Sequence, residues 1–168
     1  MIIRFKKSQP NKPHALSCIR SDGSTTWTRL RLPVQHDLIH YAVETTLGLR
    51  DSFYGLVARG VNITDFEKPK AEWAFDLADE AVHTEYIVGL FQMELSNGAP
   101  YEDFNAQLRA MCEQNKFFAP PEIGLEKIER IRQAVSKILY EWQAIAPGQT
   151  FELTFDERQP QMSTHARS

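Results

Sequence analysis

The feature that most constrains this chain is a double change in the period of its hydrophobic residues. Before Pro33 they fall in short runs rich in Leu, Ile, Thr and Trp; after it they recur at helical spacing; from Thr150 they alternate again. A strand buries one face with period two and a helix with period 3.6, so the switches mark strand, helix and strand regions. Residues 2–6 fit a short first strand. His14–Arg20 and Thr25–Leu32 are two further runs separated by Ser21-Asp22-Gly23-Ser24, and Asp-Gly in that place is a strong hairpin signal. In the middle region Leu38, Ile39, Ala42, Val43 and Leu47 line one side of a helix closed by Gly48. Asp51-Ser52 opens a short helix through Phe53, Leu56 and Val57, ended by Gly60, and Val61–Lys70 is irregular. Ala71–Leu95 reads as one long helix whose second half, apolar nearly all round, is expected at the centre of the fold. Phe104, Leu108 and Met111 mark another helix. Leu125, Ile128, Ile131, Val135, Ile138 and Trp142 mark the last, stopped by Pro147-Gly148. Phe151, Leu153 and Phe155 then alternate with Thr150, Glu152 and Thr154 as a half-buried strand.

This segregated order predicts one α+β domain over residues 1–156. Its small antiparallel sheet has three N-terminal strands and a returning C-terminal strand, with four or five helices packed on one face. The tail 157–168, polar and interrupted by Pro160, is expected to be disordered.

Composition limits the function classes. A chain of 168 residues can bury a core without disulfides or a structural metal. The net charge is −3, and no basic stripe follows Arg4, Lys6 and Lys7, so no nucleic-acid partner is expected. No apolar window approaches the ~20 residues of a membrane span. The first residues place charge after a very short apolar run, the reverse of a signal peptide. The expectation is a cytoplasmic protein, with a protein partner or a homo-oligomer left open. Cys18 and Cys112 read as small buried hydrophobes rather than nucleophiles or a disulfide.

One helix carries chemistry. His36 and His40 are four residues apart and therefore lie one above the other on the same side. That is the spacing of the zinc-hydrolase His-Glu-x-x-His motif, where the acid beside the first histidine is the general base. Here that acid is Asp37, one methylene shorter, which argues against an ordinary zincin. Glu44 is tempting as a further ligand, but at ~1.5 Å per residue it lies about 12 Å along the axis from His36. One ion cannot take all three. Outside ligands must complete a site, and Asp79, Glu80, His83 and Glu85 are the candidates, Asp79 and His83 again being four apart.

The stretch His36-Asp37-Leu38-Ile39-His40-Tyr41-Ala42-Val43-Glu44, then Leu47-Gly48-Leu49-Arg50 and Phe53–Gly60, resembles a widespread group of small bacterial proteins. These carry a His-Asp-Leu-x-His-x-x-Val-Glu helix followed by Leu-Gly-Leu. The ending from Trp142 through Pro147-Gly148 into a strand is similar too. The group has proline directly before the first histidine, whereas here Val34 and Gln35 follow Pro33. The resemblance implies a fold and no reaction.

Three functional readings remain. The first is a zinc-binding domain, hydrolytic in one version, with His36 and His40 as ligands, Asp37 as the catalytic acid–base group and Glu44, Asp79 or His83 in support. The second is a non-catalytic interaction or regulatory module in which boundary histidines are structural and His40–Glu44 is an ordinary i,i+4 pair. On that reading Phe117-Phe118 is a helix staple or a partner anchor. The third is a small-molecule site beneath Val61–Lys70.

Overall fold

A computed structural model describes residues 1–156; the tail from residue 157 lies outside the described residues. Three strands, β1 (Ile2–Lys6), β2 (Ala15–Ile19) and β3 (Thr25–Arg29), precede five helices. These are α1 (Val34–Leu47), α2 (Phe53–Ala58), α3 (Asp79–Asn97), α4 (Phe104–Gln114) and α5 (Leu125–Ala144). Strand β4 (Thr150–Thr154) follows, and the antiparallel sheet has the order β3-β2-β1-β4. The α+β architecture and the returning last strand are as the period changes predict.

The register shows why these strands hold one sheet. Phe151, Phe5, Leu16 and Thr28 form one row across it, and Leu153, Ile3, Cys18 and Thr26 the next. Ile3, Phe5, Leu16 and Cys18 are fully buried beneath the helices, whereas Arg4, Lys6, Trp27 and Glu152 on the other face are exposed. The hairpin turns at Gly23, whose φ of 84° suits a residue without a Cβ.

The long-helix reading needs two corrections. Helix α3 begins at Asp79, not Ala71. Pro69 precedes a single 3-10 turn at Lys70–Glu72, after which Trp73 is extended and stacks on Phe75 at 4.9 Å and 13°. Both rings close on Phe66, so burying aromatic area there overrides the helical propensity of Ala71 and Glu72. Nor is the second half of α3 buried all round: Ile87, Val88, Leu90 and Phe91 lie in the core, but its last turns do not. Met93 and Leu95 are 43% and 44% exposed. The central helix is α1, flanked by α3 and α5, with Leu38, Ile39, Ala42 and Val43 buried between them and the sheet.

Helix α1 ends at Gly48 in the left-handed conformation, its φ of 73° placing the Leu49 N–H on the Glu44 carbonyl. The chain then folds back so closely that a Cβ on Gly55 would stand 2.1 Å from the Arg50 carbonyl oxygen. Only glycine fits there. This approach brings the first amides of α2 onto Glu44 near the end of α1, beside the site.

Candidate metal centre

His36, Asp37, His40 and Glu44 occupy successive turns of α1, and Glu85 reaches them from α3. His40 is nearly solvent-free and Glu44 completely so. The two imidazole rings meet edge to face with centroids 4.7 Å apart. Their Nε2 atoms both face the Glu85 carboxylate, His40 at 3.2 Å and His36 at 3.9 Å. One ligand atom from each of the three residues lies within 4.8 Å of the other two. Two donors on a tetrahedral zinc ion, each ~2.0–2.1 Å from it, stand about 3.3 Å apart. A contraction of the trio by an ångström or so therefore reaches ligating geometry, leaving one coordination position open.

The rear of each ring is held as well. His40 Nδ1–H donates to the Glu44 carboxylate Oε1 at 3.2 Å, and His36 Nδ1 faces Gln92 Oε1 at a long 3.4 Å. Acceptors on both Nδ1 atoms turn both Nε2 atoms toward Glu85, the orienting pattern found behind metal-bound histidines. Glu44 is itself held by the start of α2, its Oε2 accepting from Tyr54 N at 2.8 Å and Gly55 N at 3.3 Å.

Both ring nitrogens of His40 thus face carboxylate oxygens. Burial alone would lower its pKa, but the hydrogen bonds and charges of Glu44 and Glu85 outweigh that and hold it at about 10. Without a metal, His40 is therefore an imidazolium at neutral pH. Burial would raise the Glu85 carboxyl, yet the hydrogen bond and charge of His40, with His36 nearby, leave it below its usual value. Burial dominates at Asp37 and pushes its carboxyl up against the opposing influence of His36 and His40. Tyr54 Oη donates to the Asp37 carbonyl at 3.1 Å, fixing that turn of the helix.

The structure separates the other candidates. Glu44 lies behind His40 and does not join the trio, as the axial distance requires. His83 faces away: its Nε2 bonds the Phe118 carbonyl at 2.8 Å, and its ring packs on Phe117 and Phe118. Asp79 is exposed at the start of α3 and stands outside the trio. Glu80 accepts from the Arg50 and Asp51 amides, so it shapes the α1–α2 turn. At ~100° per residue, Glu85 is turned roughly 200° from His83, so the two cannot serve one site. The signal for Glu85 lay in the sequence: Glu85 and Gln92, seven apart, form one polar stripe on an otherwise apolar segment. Phe117 and Phe118 stack on each other and clamp the α4–α5 loop to α3 through His83 and Tyr86. Cys18 and Cys112 are buried, and burial pushes the Cys18 thiol up to about 12, far from a reactive thiolate.

The trio opens into a cavity of about 550 Å³ bordered by His36, Asp37, His40 and Glu85. Its remaining walls are largely apolar, including Phe53, Leu56, Ile63, Phe66, Trp73 and Leu77. The segment after α2, a 3-10 helix over Ile63–Glu67, forms one side. It is fastened to the sheet: Ile63 N donates to Thr26 Oγ1 at 3.0 Å and Thr28 Oγ1 donates to Glu67 Oε1 at 2.7 Å. Buried Arg20 donates to the Val57 and Val61 carbonyls at 2.6 and 2.8 Å. A cavity does lie beneath residues 61–70, and its wall is preformed. No helix among the described residues is long and apolar enough to cross a membrane.

Comparison with protein-family models, with curated proteins and with solved structures gives no match to this chain.

Proposed function

We propose that this protein is a zinc-binding domain in which His36 Nε2, His40 Nε2 and a Glu85 oxygen hold the ion and its open position faces the cavity. The convergence of these three donors, each histidine backed at Nδ1 by its own acceptor, carries the reading. His36, with Nδ1 against Gln92 Oε1, turns its Nε2 toward the ion. His40 must give up its Nε2 proton to bind metal and keeps the Nδ1–H···Glu44 bond when it does. Three protein ligands with an open position are the pattern of hydrolytic zinc, which polarises a carbonyl and lowers the pKa of water. Hydrolysis is accordingly the reaction class we assign, with Asp37, on the same cavity wall, as proton acceptor.

Elemental analysis of chelator-treated protein after zinc challenge and desalting tests this. One zinc per chain is expected, with none retained by the His36→Ala/His40→Ala double variant. Asp37→Asn should keep the zinc and lose hydrolysis of p-nitrophenyl esters.

A second reading is favoured by the imidazolium of His40 between Glu44 and Glu85. This is also what a buried structural ion pair looks like, in a non-catalytic interaction module. It requires a metal-free protein after zinc challenge, and a His40→Ala variant that loses stability alone.

A further inference from the structure

The cavity in front of the trio is divided by chemistry. One end is His36, Asp37, His40 and Glu85; away from it the walls are mostly rings and branched aliphatic chains, bordered by the exposed Arg29, Arg31, Glu67 and Lys70, of which Arg31 and Glu67 pair with each other. Phe53 and Phe66 meet at 4.9 Å, and Phe66 meets Trp73 at 6.0 Å, so three rings run outward from the ligands as one continuous surface. Phe53, Phe66, Trp73 and Leu77 are only half-buried, and Leu32 at the rim is 59% exposed. Apolar area on this scale is left open to water within a recess whose wall Arg20, Thr26 and Thr28 hold in place. The volume is that of a site for a drug-sized molecule.

The two ends select different parts of one ligand. A divalent ion held by two neutral imidazoles and one carboxylate keeps a positive charge, which an oxygen anion or a polarised carbonyl completes. The hydroxyls of a sugar laid against Phe66, Trp73 and Leu77 would have no partners there, which is costly to bury. We propose that the ligand of this site is a small apolar acyl compound, a medium-chain or aryl carboxylic acid derivative. Its carbonyl or carboxylate oxygen meets the metal, and its hydrocarbon body lies along Phe53, Phe66 and Trp73. This rests on the zinc reading above.

The test uses the full chain loaded with zinc, its metal content measured in the same samples, titrated calorimetrically with acetohydroxamate and octanohydroxamate. The head groups are identical, so the ratio of affinities reads the hydrocarbon alone. Each buried methylene contributes about fourfold, and burial of about three more gives roughly 60-fold tighter binding of the longer probe. Phe66→Ala and Trp73→Ala, checked for folding by circular dichroism, should each cut that ratio several-fold and leave acetohydroxamate affinity and zinc content unchanged. Probes binding within about threefold of each other on stoichiometrically loaded wild-type protein overturn the acyl-ligand inference and leave the zinc reading standing. A large ratio indifferent to both substitutions places the chain elsewhere and overturns the inference too. Protein that takes up no zinc overturns both, and elemental analysis tells that failure from the others.

Discussion

Replacing Glu44 by glutamine probes the centre without touching a ligand. Glu44 spends one oxygen on Tyr54 N–H and Gly55 N–H and the other on His40 Nδ1–H. A glutamine of the same shape has one acceptor and one donor end. Two amide donors from α2 outvote one imidazole, so the carbonyl stays with Tyr54 and Gly55 and the NH₂ group turns to His40 Nδ1. That nitrogen must then accept, which moves the ring proton to Nε2, the atom assigned to the metal. The variant also removes one of the two carboxylates that keep His40 charged, while Glu85 remains at 3.2 Å. Losing a charge-assisted buried hydrogen bond costs about 1.5–3 kcal/mol. For a domain of this size that is roughly 3–12 °C in Tm. Misorienting a metal-bound histidine typically costs about 10–100-fold in affinity. Urea unfolding of the metal-free protein reads the first effect, and zinc competition against a chromophoric chelator reads the second. A Glu44→Gln protein that melts and binds zinc like the wild type would refute the orienting role of Glu44.

Other outcomes follow from the same contacts. Glu85→Gln should lose zinc affinity by more than the about 100-fold expected of an orienting residue, measured by the same competition. His83→Ala should keep it, because His83 faces Phe118. Metal-free wild type should show a pH dependence set by His40, whose pKa rises from 6.5 unfolded to about 10 folded. The raised value means that its contribution to stability is complete below 6.5 and is lost as pH climbs to about 10. Urea titrations across that window should show this decline, and His40→Ala should flatten it. Gly55→Ala should destabilise by about 3 kcal/mol or more by thermal melting, since its Cβ would collide with backbone that cannot rotate away. A variant of normal stability would show that the α1–α2 approach yields easily.

Much of the architecture was legible because it rests on local pattern. The Asp22-Gly23 turn, the stripes of α1 and α5 and the alternation from Phe151 to Phe155 each bury one face, and one face is enough to specify the element. Ala71–Ala78 misled because local propensity favours a helix there, and the reason it does not form is Phe66, distant in sequence from Phe75. The central place of α1 was concealed for a similar reason. The apolar run from Tyr86 to Leu95 favoured α3, whereas Met93 and Leu95 remain exposed and α1 is the helix packed against α2, α3 and α5 together. At the centre, His36 and His40 could be paired from spacing alone. Choosing Glu85 over Asp79 or His83 required the rotation of α3 about its axis, which packing against α1 determines. Glu44 could be removed from the ligand set by distance, but its backing role needed the return of Tyr54 and Gly55.

The pairing of β1 with β4 sets the order in which this molecule can be made. Arg4 and Glu152 are sheet partners 148 residues apart in sequence. During synthesis β1 can pair with β2 as soon as the first hairpin emerges, but its other edge stays open until the chain has passed residue 154. The sheet is therefore held for most of translation as a three-stranded ribbon with an inner strand exposed as an edge, a template for unwanted pairing. Arg4 and Lys6 put charge on one face of that strand while Ile3 and Phe5 occupy the other. Closing so wide a loop is slow, and the helices emerge long before it closes. The sheet can thus be completed only after every helix that covers it has been synthesised.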